Sequence, residues 1–188
     1  MNAPKLQKVS EQVTPADSIT ESATKDELLT AIDGPVSELL LLMSSVDEGK
    51  VNTVPFAGSW TAAQLIRHVA KSIDAFATGI GSEAEPATRD PREKIVELRE
   101  TFLDLSTTMT SPDFIVPEDG PYEKRHVIME LSRAFAKLKD NTSGADITEL
   151  VNDLPVGPIT KLEMLHFVLY HSQRHVHQMR KICGALIR

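Results

Sequence analysis

The chain has 188 residues, 41% hydrophobic and 25% charged, with a formal net charge of −7. That length fits one domain with a proper core, and the acidic balance argues against nucleic acid as a partner unless a strong local basic patch exists. The one basic cluster, Arg174, Arg180, Lys181 and Arg188, lies at the C-terminal end of a helical pattern, where cations complement the helix dipole.

The single cysteine, Cys183, cannot close an intramolecular disulfide, which suits a reducing cytoplasm. Its apolar neighbours mark it as a small hydrophobe rather than a nucleophile. The chain opens without an apolar leader, and its longest greasy run, Leu39 to Met43, is too short to span a bilayer, so no membrane partner is expected. Residues 1–23 are polar, rich in Ser, Thr, Gln and Glu, and read as a mobile arm. Residues 24–188 read as a single helical domain.

Thr24-Lys25-Asp26-Glu27 is a capping box that opens a helix running to about Val46. Leu28, Leu29, Ile32, Val36, Leu39, Leu40 and Met43 recur along it at helical spacing. Gly34-Pro35 interrupts the pattern, so a kink or two consecutive helices are expected. After a loop from Asp47 to Ser59, Thr61-Ala62-Ala63-Gln64 caps a second helix to about Thr78. Its apolar stripe is Leu65, Val69, Ile73 and Phe76, with His68 and Ser72 on or beside it.

Asp90-Pro91 has the order of an N-cap followed by proline at the first helical position, and predicts a third helix to about Thr107. Ser111 to Tyr122, with three prolines, reads as irregular, and a fourth helix spans roughly Glu123 to Asp140. The following connection carries Gly144, Pro155 and Gly157-Pro158, with a short helical turn expected around Thr148 to Leu154. Thr160-Lys161-Leu162-Glu163 caps a final helix to about Cys183. No segment shows strand alternation, so the class is all-α, a helical bundle.

The final helix has an inward seam of Met164, Val168, His171, His175, Gln178 and Ile182. His171 and His175 lie one turn apart, within roughly 40° on one helix face, so both rings can address one ion. Buried polar groups without partners cost roughly 1–3 kcal/mol each, so this seam needs something to satisfy it. Neighbouring carbonyls or carboxylates would do so, and so would a metal. His68, the only histidine of the second helix and on its apolar stripe, is the third candidate ligand. Three inward imidazoles leaving one position vacant is the arrangement of catalytic zinc.

Other histidine motifs are excluded. Ser172 follows His171, so the glutamate of HExxH is missing. Glu163 and His166 match one ExxH of a di-iron carboxylate bundle, but no second copy occurs. Glu163 is therefore assigned to the capping box, and His166 to a solvent-facing or boundary position. His177, like His166, falls off the candidate face, and His126, near the start of the fourth helix, reads as a surface or boundary histidine.

The run Gly58-Ser59-Trp60-Thr61-Ala62-Ala63-Gln64-Leu65-Ile66-Arg67-His68 resembles the W-[ST]-x-x-[EQ]-hydrophobic-x-x-H start of the second helix in the DinB-like metal-dependent superfamily. Leu162 to Met179, containing H-x-x-[RH]-H-x-x-Q, resembles that family's last helix. Pro112 to Pro117 and the stretch from Pro155 to Thr160 are similar to the YfiT-related branch. The resemblance covers about residue 25 to the end. It implies a four-helix bundle of DinB/YfiT-like type with additional short helices, and a metal centre on His68, His171 and His175. It also implies a homodimer and a small-molecule substrate.

Members of that family include thiol-dependent transferases and isomerases, and others described as metal-dependent hydrolases. The leading expectation is a low-molecular-weight-thiol S-transferase, because a divalent ion lowers the pKa of a bound thiol and no protein nucleophile is required. Gln178, one turn beyond His175, is the candidate to orient a bound ligand or a ring N–H, and Arg174 a candidate contact for an anionic thiol cofactor. A hydrolase at the same centre is the alternative, and a non-catalytic binding or dimerisation module the rival from another class. Zinc is expected from its frequency, while nickel, iron or manganese would need extra waters.

Overall fold

The computed structural model describes residues 23–152, 154 and 157–187. The arm expected at residues 1–23 lies, but for Ala23, outside the described residues. The described helices are α1 (Lys25–Ser45), α2 (Ala62–Ile80), α3 (Ile95–Leu103), α4 (Lys124–Gly144) and α5 (Lys161–Leu186), with 3₁₀ turns at Glu48–Lys50 and Asp113–Ile115.

All three capping boxes form. Thr24, Thr61 and Thr160 each accept a hydrogen bond from the backbone N–H three residues on, and the Glu or Gln there accepts from the threonine N–H. Each box satisfies two backbone donors that a helix start leaves without partners. The interruption at Gly34-Pro35 does not divide α1, which continues through Pro35 as one helix. Leu28 and Ile32 before it and Val36, Leu39 and Met43 after it are all buried. Packing on both sides of the proline thus offsets its lost backbone bond.

The bounds of α3 and α4 differ from the sequence expectation. α3 starts at Ile95, not after Asp90, because Asp90 builds a turn instead of a cap: its carboxylate accepts from Arg92 N–H at 2.9 Å and Lys94 N–H is drawn off to Glu163 at 2.8 Å. It stops at Leu103, where Asp104 turns the chain by accepting from Ser106 N–H at 3.0 Å. α4 continues one turn past Asp140. There Asn141 donates to Ala77 O at 2.7 Å and the buried Thr142 hydroxyl donates to Leu138 O at 2.7 Å, so the polar end of the helix is satisfied.

A strand pair was not anticipated. β1 (Leu150–Val151) pairs antiparallel with β2 (Ile159–Thr160), and Glu85 bridges to Leu150 on its other side. This replaces the helical turn expected at Thr148 to Leu154. Two residues per strand are too few to show alternation.

α2 packs against α4 and α5, and α1 against the same two, so the four long helices form a ring in which α1 and α2 sit diagonally. α3 lies along the outside of α5. By length and composition α1 alone among the described helices is apolar enough to cross a bilayer; Leu28, Ile32, Val36, Leu39 and Met43 are buried in this ring, and Leu41 is exposed. Enclosed by α1, α2 and α3, the first half of α5 has no solvent face, and Lys161 to Ser172 are all buried. That corrects the placement of His166. It is fully buried, its Nδ1 lies 3.1 Å from the Tyr170 hydroxyl, and burial pushes the ring down to about 4, so it is neutral. A helix surrounded by others has no polar side for an amphipathic wheel to reveal.

Candidate metal centre

α2 carries His68 and α5 carries His171 and His175, and the α2–α5 contact brings the three rings together. Their Nε2 atoms form a triangle: 3.2 Å from His68 to His171, 3.2 Å from His68 to His175, and 3.0 Å from His171 to His175. All three residues are buried. Burial pushes each imidazole below its ordinary 6.5, His175 to about 3, so the rings are neutral. Neutral imidazole is the form that ligates metal.

The tautomers follow from the outer contacts. His68 Nδ1–H donates to Ile115 O at 2.9 Å, and His175 Nδ1–H donates to Gln178 Oε1 at 3.0 Å. Each neutral ring then has its lone pair on Nε2, facing the other across 3.2 Å. Only His171 can bring a proton into the triangle, and one proton cannot satisfy both neighbours. The arrangement therefore places lone pair against lone pair unless a cation stands between them. An ion about 2.0–2.1 Å from each of three imidazoles holds the nitrogens roughly 3–3.4 Å apart, so the observed triangle fits one. His171 Nδ1 has no hydrogen-bond partner among the described residues.

Aromatic rings surround the triangle. Trp60 lies 4.8 Å from His68, Phe167 stacks on His171 at 5.2 Å, and Phe102 meets both Phe167 and His171 edge-on at 4.6 and 5.8 Å. This wall lowers the local dielectric and strengthens electrostatics inside it. Among the described residues, no carboxylate belongs to the cluster. Gln178 sits against His175, with its Oε1 3.0 Å from the ring Nδ1. Arg174 spends its guanidinium elsewhere, donating to Phe102 O at 3.2 Å, to Asp104 O at 2.8 Å and to Thr107 O, so it fastens the segment after α3. His126 is exposed and His177 half-buried, both apart from the triangle.

Sequence reasoning missed two contributors. The Ile115 carbonyl is a backbone atom and leaves no mark in residue type. Phe102 reads as an ordinary apolar position of α3, and only the packing of α3 on α5 turns it toward His171.

Comparison with known proteins agrees with this architecture. A family profile described as the DinB superfamily matches residues 31–179. No curated protein sequence matches. Among solved structures, TT2238, described as a four-helix bundle protein, is 21% identical, with 84% of this chain and 99% of that chain covered and a TM-score of 0.53. YfiT from Bacillus subtilis, described as a probable metal-dependent hydrolase with an unusual four-helix bundle topology, is 13% identical, with 90% and 91% covered and a TM-score of 0.54. At these identities the likeness establishes the fold. The three-histidine pattern on α2 and α5, the ring of four helices and the profile match lead to one statement: the chain belongs to the DinB superfamily.

Proposed function

We propose that this protein is a metal-dependent enzyme acting on a small molecule, with His68, His171 and His175 as the ligands of one divalent ion. The observation that carries the proposal is the Nε2 triangle, two of whose lone pairs are aimed inward by Ile115 O and Gln178 Oε1. When bound, the ion supplies Lewis-acid activation of a thiol or a water. The chain's own residues hold the three imidazoles neutral, fix two of their tautomers, and exclude bulk water with Trp60, Phe102 and Phe167.

Of the two reactions this centre supports, we favour transfer of a low-molecular-weight thiol to an electrophile. Among the described residues the cluster contains no carboxylate to serve as a general base for water, and a thiol needs less help to ionise. Hydrolysis is the second reading, favoured by the fold shared with YfiT. Zinc suits three nitrogens with one open position.

Turnover of an electrophilic test substrate by zinc-loaded protein, with and without bacillithiol, mycothiol or glutathione, separates the two. Thiol transfer predicts at least about a 100-fold rate difference between the arms, the scale of a lost reacting group. Equal rates in both would sink the transferase reading in favour of hydrolysis. Failure of the purified protein to hold any ion would overturn both.

A further inference from the structure

The contact that fixes His68 comes from the 3₁₀ turn Asp113–Ile115, in the irregular segment between α3 and α4. A backbone carbonyl in such a segment holds its position only if something fastens the chain on either side. Here the fastening lies on α2 itself. Lys71 Nζ donates to Val116 O at 2.8 Å and to Glu118 Oε1 at 2.9 Å, and Arg67 Nε donates to Glu118 Oε2 at 3.4 Å. Arg67 also pairs with Glu130 of α4 at 2.6 Å, which limits its freedom to follow a moving loop. The Tyr122 hydroxyl donates to Glu118 O, and Tyr122 exchanges two backbone hydrogen bonds of 2.8 Å with the Asn52 side chain.

Arg67 and Lys71 are the residues one before and three after His68. Glu118 therefore closes a clamp over the helix turn that bears the histidine, and the carbonyl Lys71 holds, that of Val116, directly follows the Ile115 carbonyl that His68 uses. The Lys71 hydrogen bond, helped by the charges of Lys71 and Arg67, holds the Glu118 carboxyl at about 2, so the clamp stays charged at ordinary pH.

We propose that Glu118 and Lys71 are positioning residues of the metal centre: by fastening the 115–118 segment to α2 they keep the Ile115 carbonyl on His68 Nδ1 and so keep His68 Nε2 available as a ligand. The inference rests on the metal reading above. Neither residue touches the ion, and each acts through Ile115 and His68. The Lys71 ammonium carries an unusual implication. A positive charge near a cation site should weaken binding by repulsion, whereas here its removal should weaken binding further.

The test is the zinc(II) affinity of wild-type protein, Glu118→Gln, Lys71→Met and Lys71→Arg, measured by competition with a chromophoric chelator, with thermal melts of the metal-free proteins alongside. Loss of partners that orient a ligand typically costs 10–100-fold in metal affinity. Both Glu118→Gln and Lys71→Met are expected to bind zinc roughly 10-fold more weakly. Lys71→Arg, which keeps the donor and charge, should stay close to wild type. Asp74→Asn, which breaks the Asp74–Lys137 pair of 2.8 Å farther along α2, is the control for losing a surface ion pair and should leave affinity unchanged.

Tighter or unchanged binding by Lys71→Met would overturn the inference, because simple charge repulsion would then account for the site. If either substitution prevents folding, the remaining one decides. Zinc binding by wild-type protein with no effect of the variants defeats this inference alone. Absence of binding by wild-type protein defeats the metal reading on which it depends.

Discussion

Untagged wild-type protein is expected to carry about one divalent ion per chain, and His171→Ala to carry none. His171 Nε2 is the corner that closes the triangle, 3.2 Å from His68 and 3.0 Å from His175. Without it two nitrogens remain on opposite helices, too few for a tight site. Loss of an orienting partner alone costs 10–100-fold, so loss of a ligand should exceed about 100-fold. Elemental analysis after dialysis measures this directly. A second readout is built into the chain: Trp60 is its only tryptophan and lies 4.8 Å from the His68 ring. Cobalt(II) or copper(II) titration should quench its emission in wild-type protein and not in His171→Ala. Saturating zinc should also stabilise the wild type, by about 4 kcal/mol at a thousandfold excess over Kd, and leave the variant's melting temperature unmoved. Equal ion content in the two proteins would refute the assignment.

The second large effect lies at the start of α5. Glu163 is fully buried, and its carboxylate receives both terminal nitrogens of Arg89 at 2.6 Å each, together with Thr160 N–H at 2.9 Å and Lys94 N–H at 2.8 Å. It thus closes the cap of α5, holds the approach to α3 and neutralises a cation, all with one group. Removing one partner of a buried pair costs about 3–5 kcal/mol, because the other charge is stranded. The two partners are not equivalent. Arg89 keeps 18% of its side chain exposed and can turn to water, whereas Glu163 has no exposure at all. Arg89→Met should therefore be the more damaging change, near the upper end of that range, a drop of roughly 10–20 °C in melting temperature at about 2–4 °C per kcal/mol. Glu163→Gln keeps two acceptor contacts and should cost less, about 1–3 kcal/mol.

The acid limb of stability gives the same test a sign. Burial pushes the Glu163 carboxyl up, but the hydrogen bonds from Arg89, Thr160 and Lys94 outweigh it and hold it below its ordinary 4.5. A carboxyl depressed on folding stabilises fully above its unfolded value and loses that contribution as pH falls through the folded one. The stability gap between wild type and Glu163→Gln should be constant near neutrality and shrink as pH drops below about 4.5. A gap that widens on acidification would contradict this account.

The capping boxes were legible because they are local. Thr24, Thr61 and Thr160 each satisfy donors within three residues, so type and spacing suffice to place a helix start. Other signals were local in form but not in outcome. Asp90-Pro91 has the composition of a helix start, yet Lys94 N–H goes to Glu163, 69 residues away, and the helix begins at Ile95. His166 failed for a related reason. Its position on the wheel is correct, but the first half of α5 is walled in on every side, so the face away from His171 is buried there as well.

The histidines show where that boundary falls. The i, i+4 spacing of His171 and His175 is a property of one helix, and the placement of His68 on the stripe of α2 is a property of another. Both are intrinsic to residue order, as are the all-α class and the absence of a protein nucleophile from the seam. That the three Nε2 atoms meet at 3.0–3.2 Å depends on how α2 packs on α5. The tautomer of His68 depends on a carbonyl at Ile115 and the segment that carries it, where no side chain announces the role. Periodicity reports which side of a helix is apolar, because that is fixed by 3.6 residues per turn. Which helix that side meets, at what height, and with which backbone atom behind it are set by long-range packing, and only the folded chain decides them.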